Sequence, residues 1–234
     1  MKTLVIIPCY NEEGNIENTV KSLIKNKLDY IIINDGSTDK TLEIIKKNNF
    51  KYINLNNNLG IGAAVQTGYK YAANNNYDIA IQYDGDGQHD VNYIKKIIEP
   101  IEKGDADLVV GSRFVGEESE FKSTWIRRIG INILSLLFKI ITKKDLKDMT
   151  SGFRACNKNI INMFAKAYPQ EYPEPVTNLK VARSGFKLSE VPVKMKERKF
   201  GKSSISALKS TYYMINVIIL FIVIALSKGD EKNV

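Results

Sequence analysis

The chain has 234 residues, of which 44% are hydrophobic and 26% are charged, a composition typical of one globular domain with a sizeable core. Much of its formal charge of +8 lies in residues 122–147 and 194–209, and basic segments beside apolar ones favour an anionic membrane surface or phosphate ligands. Because the chain carries no RNP, zinc-finger or helix-turn-helix motif, we expect no nucleic-acid partner.

Two cysteines, Cys9 and Cys156, lie far apart within apparent core segments and form no CxxC pair. No disulfide framework is therefore expected, and a reducing cytoplasm is the predicted compartment. The apolar run at the N-terminus is too short for a signal peptide, so residues 4–7 are predicted to form a first strand.

Strand-like runs alternate with amphipathic helical patterns along the first half of the chain. The predicted strands are residues 4–7, 30–33, 52–55, 79–83 and 107–110. This alternation predicts an α/β fold with a mainly parallel sheet that is covered on both faces. In such sheets, ligands bind at the carboxyl ends of the strands.

Acidic, turn-rich loops follow the first, second and fourth predicted strands, at residues 8–13, 34–39 and 84–86. Because the carboxyl ends of parallel strands share one edge, we expect these loops to lie together. In the second loop, residues 37–39 have helix capping as an alternative role. Asp35 lies at the end of the second predicted strand, before the residues that could cap the next helix, so a functional role is favoured for it.

Residues 82–90 contain the strongest chemical signal, the sequence Gln-Tyr-Asp-Gly-Asp-Gly-Gln-His-Asp. Asp84 and Asp86 are one residue apart, so both carboxylates can reach one hard cation, and the glycine after each lets the backbone approach a ligand. Mg²⁺ or Mn²⁺ with diphosphate oxygens completing the shell fits this pattern. An ordinary Asp-Gly turn between a strand and a helix fits it equally well.

The Gly-x-Gly at residues 60–62 lacks the third glycine of a dinucleotide-binding motif and follows the third predicted strand instead of the first. It therefore predicts a tight, ligand-facing turn and not a dinucleotide site.

Two segments in the second half combine apolar and basic residues. Residues 125–141 form a basic amphipathic pattern that predicts a helix, either in a membrane interface or packed on the sheet edge. Residues 212–226 are apolar except for Asn216, and as a helix they would be roughly 22 Å long, short of the roughly 30 Å hydrocarbon core. We expect a hydrophobic helix that lies on the membrane or docks on a partner; one short span and a core helix are the alternatives.

The order and spacing of four motifs resemble the family 2 glycosyltransferases of the GT-A fold. The motifs are residues 7–13 (Ile-Pro-Cys-Tyr-Asn-Glu-Glu), 34–39 (Asn-Asp-Gly-Ser-Thr-Asp), 58–60 (Asn-Leu-Gly) and 84–89 (Asp-Gly-Asp-Gly-Gln-His). The last occupies the place of that family's metal-binding DxD motif. The resemblance implies a GT-A domain with a mixed, mainly parallel sheet over residues 1–205, followed by a hydrophobic helix and tail over residues 206–234.

Within that family, the chain looks like the polyprenyl-phosphate glycosyltransferases, on the evidence of residues 86–89, 111–114, 148–154, 190–193 and 198–204. This likeness implies inverting transfer from a nucleotide-sugar, expected to be UDP-linked, to undecaprenyl or dolichyl phosphate, with Mg²⁺ or Mn²⁺ as cofactor. It places the enzyme at the cytoplasmic face of the membrane, either peripherally or with one short C-terminal span. The uncovered apolar face of residues 212–226 suggests a second copy or a small membrane protein as partner.

The resemblance also implies roles for individual residues. Those expected to hold the donor nucleotide are Pro8, Tyr10, Glu12, Asp35, Gly60, Asp84, Arg198 and Lys202. Those expected to hold the cation are Asp84, Asp86 and Gln88. Arg113 and one of Arg127 or Arg128 would receive the acceptor phosphate, because guanidinium matches phosphate geometry. Lys202 departs from the family's Gly-x-Ser-Lys order, which weakens its assignment.

Glu174 lies where relatives with sugar acceptors place their catalytic carboxylate. A lipid phosphate is already ionised at neutral pH and needs no general base, whereas a sugar hydroxyl does. Glu174 as that base would give a transferase that extends a lipid-linked oligosaccharide or polysaccharide. An acidic residue in the first turn of a helix is the structural alternative. His89 is expected either to support the metal site or to hydrogen-bond at the helix start.

Overall fold

A computed structural model describes residues 1–116, 125–196 and 216–224. The strands are β1 (Thr3–Cys9), β2 (Asp29–Asp35), β3 (Tyr52–Leu55), β4 (Ile79–Gln82), β5 (Leu108–Ser112), β6 (Arg154–Asn157) and β7 (Leu188–Pro192). The α-helices are α1 (Ile16–Lys25), α2 (Thr41–Lys47), α3 (Ile61–Asn74), α4 (Ile94–Glu102), α5 (Trp125–Thr142), α6 (Lys158–Lys166) and α7 (Pro173–Arg183), and residues 216–224 form a further helix, α8. A short 3₁₀ helix, Val91–Tyr93, precedes α4.

The seven described strands form one sheet in the order β3-β2-β1-β4-β6-β5-β7. Only β6 runs antiparallel to its neighbours β4 and β5, and the other pairs are parallel. The predicted α/β fold with a mixed, mainly parallel sheet is confirmed. The five strands predicted from the alternation pattern are present as β1 to β5. The sequence pattern did not predict β6 and β7.

Both faces of the sheet are buried, which explains why its strands read as continuous apolar runs. Along β1, Val5 and Ile7 face a core shared with α1, α2 and α4. Leu4 and Ile6 face the opposite core, shared with α3 and α6. The helices that follow the parallel strands β1 to β4 begin at the edge of the sheet where the loops after β1, β2 and β4 lie, whereas α6 follows the antiparallel β6 and begins at the opposite edge.

Gly68 allows α3 to lie directly on β1. A Cβ atom added at Gly68 would stand 2.2 Å from Cγ2 of Ile6, so no larger residue fits without a shift of the helix or the strand. This close packing fixes the amino end of α3, and with it the turn at Gly60, at the carboxyl edge of the sheet.

A third core joins α5, α7 and α8. Leu134 and Phe138 of α5 pack there with Leu179 of α7 and with Val217 and Phe221 of α8. One face of α5 thus packs against the rest of the fold, which agrees with the second of its two expected placements, at the sheet edge. One face of α8, the described part of the C-terminal apolar segment, is also buried.

The outer faces of α5 and α8 are apolar as well. Their exposed large residues are Ile129, Ile133, Leu136, Ile140, Ile219, Ile222 and Val223. Among the residues that the structure describes, no helix combines the length and the apolarity needed to cross a bilayer.

Candidate active site

A cavity of about 680 Å³ opens at the carboxyl edge of the sheet, where the three acidic loops meet. That volume lies in the range of small-molecule sites. The predicted site residues that line it are Pro8, Tyr10, Glu12, Asp35, Gly60, Asp84, Asp86 and Glu174. The structure therefore brings eight of the predicted residues together, while their roles toward a ligand stay predictions.

Hydrogen bonds lock the first loop to the second. The side-chain carbonyl of Asn11 accepts a bond from the Thr38 N–H at 2.8 Å, and the Asn11 N–H donates to Ser37 Oγ at 3.0 Å. Asp39 accepts a bond from the N–H of Thr41, the first residue of α2, at 2.9 Å. Asp39 therefore bonds the first turn of α2, although Lys40 is the N-cap residue. Asp39 also joins the two loops, as Ser37 and Thr38 do, because it accepts a bond from the Glu13 N–H at 3.1 Å.

Asp35 joins the second loop to the turn before α3. Its buried carboxylate accepts hydrogen bonds from the backbone N–H groups of Leu59 at 2.8 Å and of Gly60 at 2.9 Å. Gly36 makes this approach possible because it has a φ of +65° and an added Cβ would stand 2.6 Å from the backbone of residues 57–58. Asp35 thus shapes the turn that forms one wall of the cavity.

Asp84 and Asp86 both face the cavity after β4. His89 Nε2 lies 3.3 Å from Asp84 Oδ2, and the buried His89 ring stacks on Phe153. Burial raises the pKa of Asp84, but hydrogen bonds from His89 and Gln82 and the charge of Arg154 outweigh it and hold that pKa below its usual value. Asp84 is therefore an anion at neutral pH.

The two carboxylates have the donor chemistry that a hard divalent cation requires. Within residues 1–116, 125–196 and 216–224, no group of three or more His, Cys, Asp or Glu side chains is arranged to hold a metal ion. Mg²⁺ typically uses one or two carboxylates and takes the rest of its shell from substrate phosphates and water. Asp84 and Asp86 therefore fit a cation that arrives with a diphosphate.

Gln88 was predicted as a third metal ligand, but its side chain points elsewhere. Its amide nitrogen donates to the Lys196 carbonyl at 3.3 Å, and its own N–H donates to Asp86 Oδ1 at 3.0 Å. Gln88 is not among the described residues that line the cavity. Its contact with Asp86 is through the backbone, so it supports that carboxylate's position.

Arg113 lies behind the cavity wall. Its buried guanidinium forms a two-bond pair with Asp148 at 2.7 and 2.8 Å and donates to Thr150 Oγ1 at 2.9 Å. Thr150 lines the cavity. The exposed Arg128 and the buried Arg113 both lie over the ring of Phe114, at 5.2 and 5.4 Å from its centroid. The side chain of Arg127, and Arg198 and Lys202 entirely, lie outside the described residues.

Buried polar residues for which the sequence predicted no role lie beneath the cavity, behind its lining residue Glu174. Gln82, the last residue of β4, donates from Nε2 to Glu174 Oε1 at 3.2 Å and accepts at Oε1 from Arg154 Nε at 3.2 Å. Arg154 also donates to Thr177 Oγ1 at 2.7 Å and to the hydroxyl of Tyr168. A glutamine at the end of the apolar strand β4 was the available signal for Gln82, whereas the sequence around Arg154 gave none, because β6 has no strand pattern.

Cys9 also lines the cavity, but it is not a nucleophile. Burial raises the pKa of its thiol far above the ordinary range, and Glu12, Asp39 and Asp35 raise it further. The thiol is therefore protonated at neutral pH, which excludes thiolate chemistry at this position.

Comparison with known proteins agrees with this geometry. The family described as Glycosyl transferase family 2 matches residues 4–164. The chain is 33% identical over 211 residues to the UDP-N-acetylglucosamine–dolichyl-phosphate N-acetylglucosaminyltransferase of Methanococcus voltae, which covers 81% of this chain and 84% of that protein. It is 25% identical over 219 residues to the polyprenol monophosphomannose synthase of Mycolicibacterium smegmatis, covering 88% and 81% of the two chains.

Solved structures share the fold. Glucosyl-3-phosphoglycerate synthase of Mycobacterium tuberculosis, in complex with Mn²⁺, uridine-diphosphate-glucose and phosphoglyceric acid, superposes with a TM-score of 0.70 at 17% identity. The match covers 98% of this chain and 81% of that one.

Proposed function

This chain belongs to glycosyl transferase family 2 and is a glycosyltransferase, and from that premise we propose that it moves a sugar from a UDP-sugar to a polyprenyl phosphate with inversion at the sugar. The observation that carries the proposal is the acidic cavity built on the Asp84–Asp86 loop. Relatives named for transfer to dolichyl phosphate and for polyprenol monophosphomannose synthesis support the acceptor class.

The charge of the cavity supports a metal-dependent reaction. Its acidic lining residues are Glu12, Asp35, Asp84, Asp86, Glu171 and Glu174, and none of its described lining residues is Lys or Arg. A donor diphosphate would be repelled from this cavity unless cations came with it. Mg²⁺ or Mn²⁺ held by Asp84 and Asp86 would supply that positive charge and stabilise the departing nucleoside diphosphate. Arg198 and Lys202 are proposed to add to it.

The acceptor phosphate needs no general base because it is already ionised at neutral pH. We assign its binding to Arg113 with Arg128 or Arg127. The contacts of Arg113 and Arg128 with Phe114, and the bond from Arg113 to the cavity-lining Thr150, support a position of both beside the cavity. Because Arg113 is buried and paired with Asp148, the exposed Arg128 would make the first contact with the phosphate. Pro8, Tyr10, Glu12 and the turn that Asp35 holds would bind the nucleoside on the opposite wall.

A lipid acceptor requires the enzyme to work at a membrane surface, and we place it at the cytoplasmic face. The apolar outer faces of α5 and α8 support this location, together with the basic Arg128 and Lys139 on α5. The same apolar surface is the basis for a second copy or a small membrane protein as the alternative occupant.

One observation favours a second candidate function. Glu174 lines the cavity, as Asp84 does, and accepts a hydrogen bond from the Gln82 amide at 3.2 Å. A carboxylate in that place has access to an acceptor hydroxyl. It would then act as the general base of a transferase that extends a lipid-linked sugar.

A radiolabelled-donor assay tests the proposal. Purified protein is incubated with labelled UDP-sugars, Mn²⁺ or Mg²⁺ and a short-chain polyprenyl phosphate, with chelator-treated protein as the control. Metal-dependent label in the organic phase, released by mild acid, is the expected result. Label that appears only when a lipid-linked sugar replaces the lipid phosphate would reject the first function in favour of the second.

A further inference from the structure

We propose that Gln82, oriented by Arg154, is a positioning residue that holds the carboxylates of Asp84 and Glu174 in one arrangement on the floor of the cavity. The inference rests on the proposed function, since it assigns a task to residues beneath that site. Neither residue contacts the reacting atoms, so their effect on the reaction is exerted through the two carboxylates.

The side-chain amide of Gln82 is bonded on both ends. On one side Nε2 donates to Glu174 Oε1 at 3.2 Å, and the same amide lies close enough to the Asp84 carboxylate to help lower its pKa. On the other side Oε1 accepts from Arg154 Nε at 3.2 Å and from the hydroxyl of Tyr168 at 3.4 Å. One rigid amide therefore ties the proposed metal ligand to the proposed base.

Arg154 determines which way the amide faces. A guanidinium donates hydrogen bonds and accepts none, so the group that meets it must be the amide oxygen. The NH₂ group is then directed to the opposite side, toward two carboxylates that can only accept. Reversal of the amide would place its NH₂ against Arg154 and its oxygen against Glu174, which breaks both contacts.

Strand register sets this pair in place. Gln82 and Arg154 are directly opposite each other in the antiparallel pairing of β4 with β6. At this edge β4 ends and β6 begins, so both side chains lie below the loops that carry Asp84 and residues 148–153. The contact between Gln82 and Arg154 therefore depends on β6, the antiparallel strand of the sheet.

The burial of Arg154 is difficult to explain by stability alone. Its side chain is fully buried, and a buried charge costs several kcal/mol of desolvation that its partners must offset. Thr177, Tyr168 and Gln82 satisfy its donors, yet well-packed apolar residues are commonly as stable in such positions. A fixed orientation of the amide gives this arrangement a functional consequence.

Gly152 lies close to both the Gln82 amide and the Asp84 carboxylate. A Cβ atom at this residue would stand 2.9 Å from Asp84 Oδ2 and 3.3 Å from Gln82 Nε2. The amide and the Asp84 carboxylate are thus confined between Gly152 on one side and the Arg154 network on the other.

The test uses Gln82→Met, which keeps the length of the side chain and removes its amide. Mn²⁺ binding in the presence of UDP is measured from the electron paramagnetic resonance signal of free Mn²⁺, and kcat and KM for the donor are measured in parallel. Gln66→Met is the matched control, because Gln66 is half-buried and donates one hydrogen bond, to the Ala165 carbonyl at 3.3 Å, away from the cavity. Thermal unfolding shows that each variant is folded at the assay temperature.

We expect Gln82→Met to lower Mn²⁺ affinity and kcat by about 10- to 100-fold each, the range found for residues that orient metal ligands. The control should leave both within about twofold of wild type. Arg154→Lys keeps the charge but cannot bond Gln82, Tyr168 and Thr177 together, so it should also lower Mn²⁺ affinity and kcat. If Gln82→Met does not fold, the Mn²⁺ affinity and kcat of Arg154→Lys test the proposal instead. Wild-type Mn²⁺ affinity and kcat in the folded variant would overturn the proposal.

The two readouts separate this inference from the proposed function. If the wild-type protein transfers no sugar to polyprenyl phosphate, the proposed function fails in the wild-type assay. The comparison of Mn²⁺ affinities between Gln82→Met, Gln66→Met and wild type still decides the role of Gln82.

Discussion

The backbone of Gly152 lies against the carboxylate of Asp84 so closely that an added Cβ would stand 2.9 Å from Oδ2 and 3.3 Å from Oδ1. Real Cβ atoms essentially never approach another heavy atom this closely, so one of the two groups would have to move. The loop before β6 thus fixes the position of the carboxylate after β4, although the two lie far apart in sequence.

Gly152→Ala is therefore expected to displace Asp84 and to impair the metal site more than the fold. We expect a loss of about tenfold in Mn²⁺ affinity in the presence of UDP and a comparable loss in kcat, because an Ångström-scale shift of a ligand has effects of this size. Binding and turnover assays measure the loss, and thermal unfolding measures the stability.

Gly185→Ala is the control for this substitution. Gly185 has a φ of +84° and no atom within 4 Å of an added Cβ, so alanine strains the backbone there without touching the site. It should lower the unfolding midpoint and leave Mn²⁺ affinity unchanged. Equal effects of the two variants on Mn²⁺ affinity would mean that the Gly152–Asp84 contact has no role in metal binding.

Asp86→Ala is expected to remove nearly all turnover while the protein stays folded. Removal of this carboxylate takes away one proposed anchor of the cation, and we expect a loss on the order of 10²- to 10³-fold in kcat. Circular dichroism and the unfolding midpoint should remain near wild type, since Asp86 lies in a cavity-lining loop.

Chelation gives an independent test of the same assignment. Wild-type protein treated with EDTA should lose transferase activity and recover it when Mn²⁺ or Mg²⁺ is restored. Full activity in the presence of the chelator would count directly against Asp84 and Asp86 as metal ligands.

The parallel half of the sheet and its three acidic loops were predictable because each depends on local patterns. The apolar runs of β1, β2 and β4 mark buried strands, and the carboxyl ends of parallel strands must share an edge. Eight predicted site residues accordingly lie around one cavity. Seven of them lie at the ends of β1 to β4 or in the loops that follow, so the direction of the strands was enough to bring them together, whereas Glu174 in α7 was predicted from the family resemblance alone.

The antiparallel part of the sheet and the direction of individual site side chains depend on contacts that a single sequence does not reveal. The antiparallel β6 places Arg154 opposite Gln82, a pairing of residues 72 positions apart. The family resemblance implied that Gln88 helps to hold the cation, whereas in the structure its side-chain amide donates to the Lys196 carbonyl. In both cases tertiary packing decides the direction of the side chain, and spacing along the chain does not.

Asp35→Ala is expected to weaken donor binding through the turn that precedes α3. The substitution removes the acceptor of the Leu59 N–H and one of the two acceptors of the Gly60 N–H, which also bonds Asn58 Oδ1 at 3.1 Å. Each lost hydrogen bond costs about 1 kcal/mol, and the turn loses its link to β2. We expect a rise of about tenfold or more in the donor KM and a lower unfolding midpoint. Steady-state kinetics with varied donor concentration measure the change.

Asp39→Ala is a matched control for Asp35→Ala. Asp39 also accepts bonds from two backbone N–H groups, those of Glu13 and Thr41, but it is not among the described residues that line the cavity. It should reduce stability with a smaller effect on the donor KM. An equal rise in the donor KM in Asp35→Ala and Asp39→Ala would show that the effect of Asp35→Ala comes from a general loss of order in the two loops.

The outer face of α5 is expected to mediate binding to anionic vesicles. Leu136 and Ile140 are 59% and 66% exposed and lie about one turn apart on that face. Replacement of both by glutamate removes apolar area that would enter the interface and adds repulsion from anionic lipid. We expect the vesicle-bound fraction in a sedimentation assay to fall by about tenfold or more.

Ile24→Glu provides the comparison for the α5 variant. Ile24 lies on α1 and is also a large exposed apolar residue, so it tests whether any such change reduces lipid binding. It should leave vesicle binding unchanged. Mn²⁺ and UDP binding should be unchanged in both variants, and undiminished vesicle binding of the α5 variant would exclude this face as the membrane surface.

Glu174→Gln separates the two acceptor classes. The amide oxygen of glutamine can still accept the bond from Gln82, so the floor of the cavity is preserved while the basic group is lost. With a polyprenyl phosphate acceptor, which brings its own negative charge, kcat should fall by less than about tenfold. With a hydroxyl acceptor that requires deprotonation, the loss should be about 10²- to 10⁴-fold. Glu171→Gln is the control, because Glu171 is a second glutamate that lines the same cavity. A large loss confined to Glu174→Gln, measured with lipid phosphate as the sole acceptor, would contradict the proposal that this acceptor needs no base.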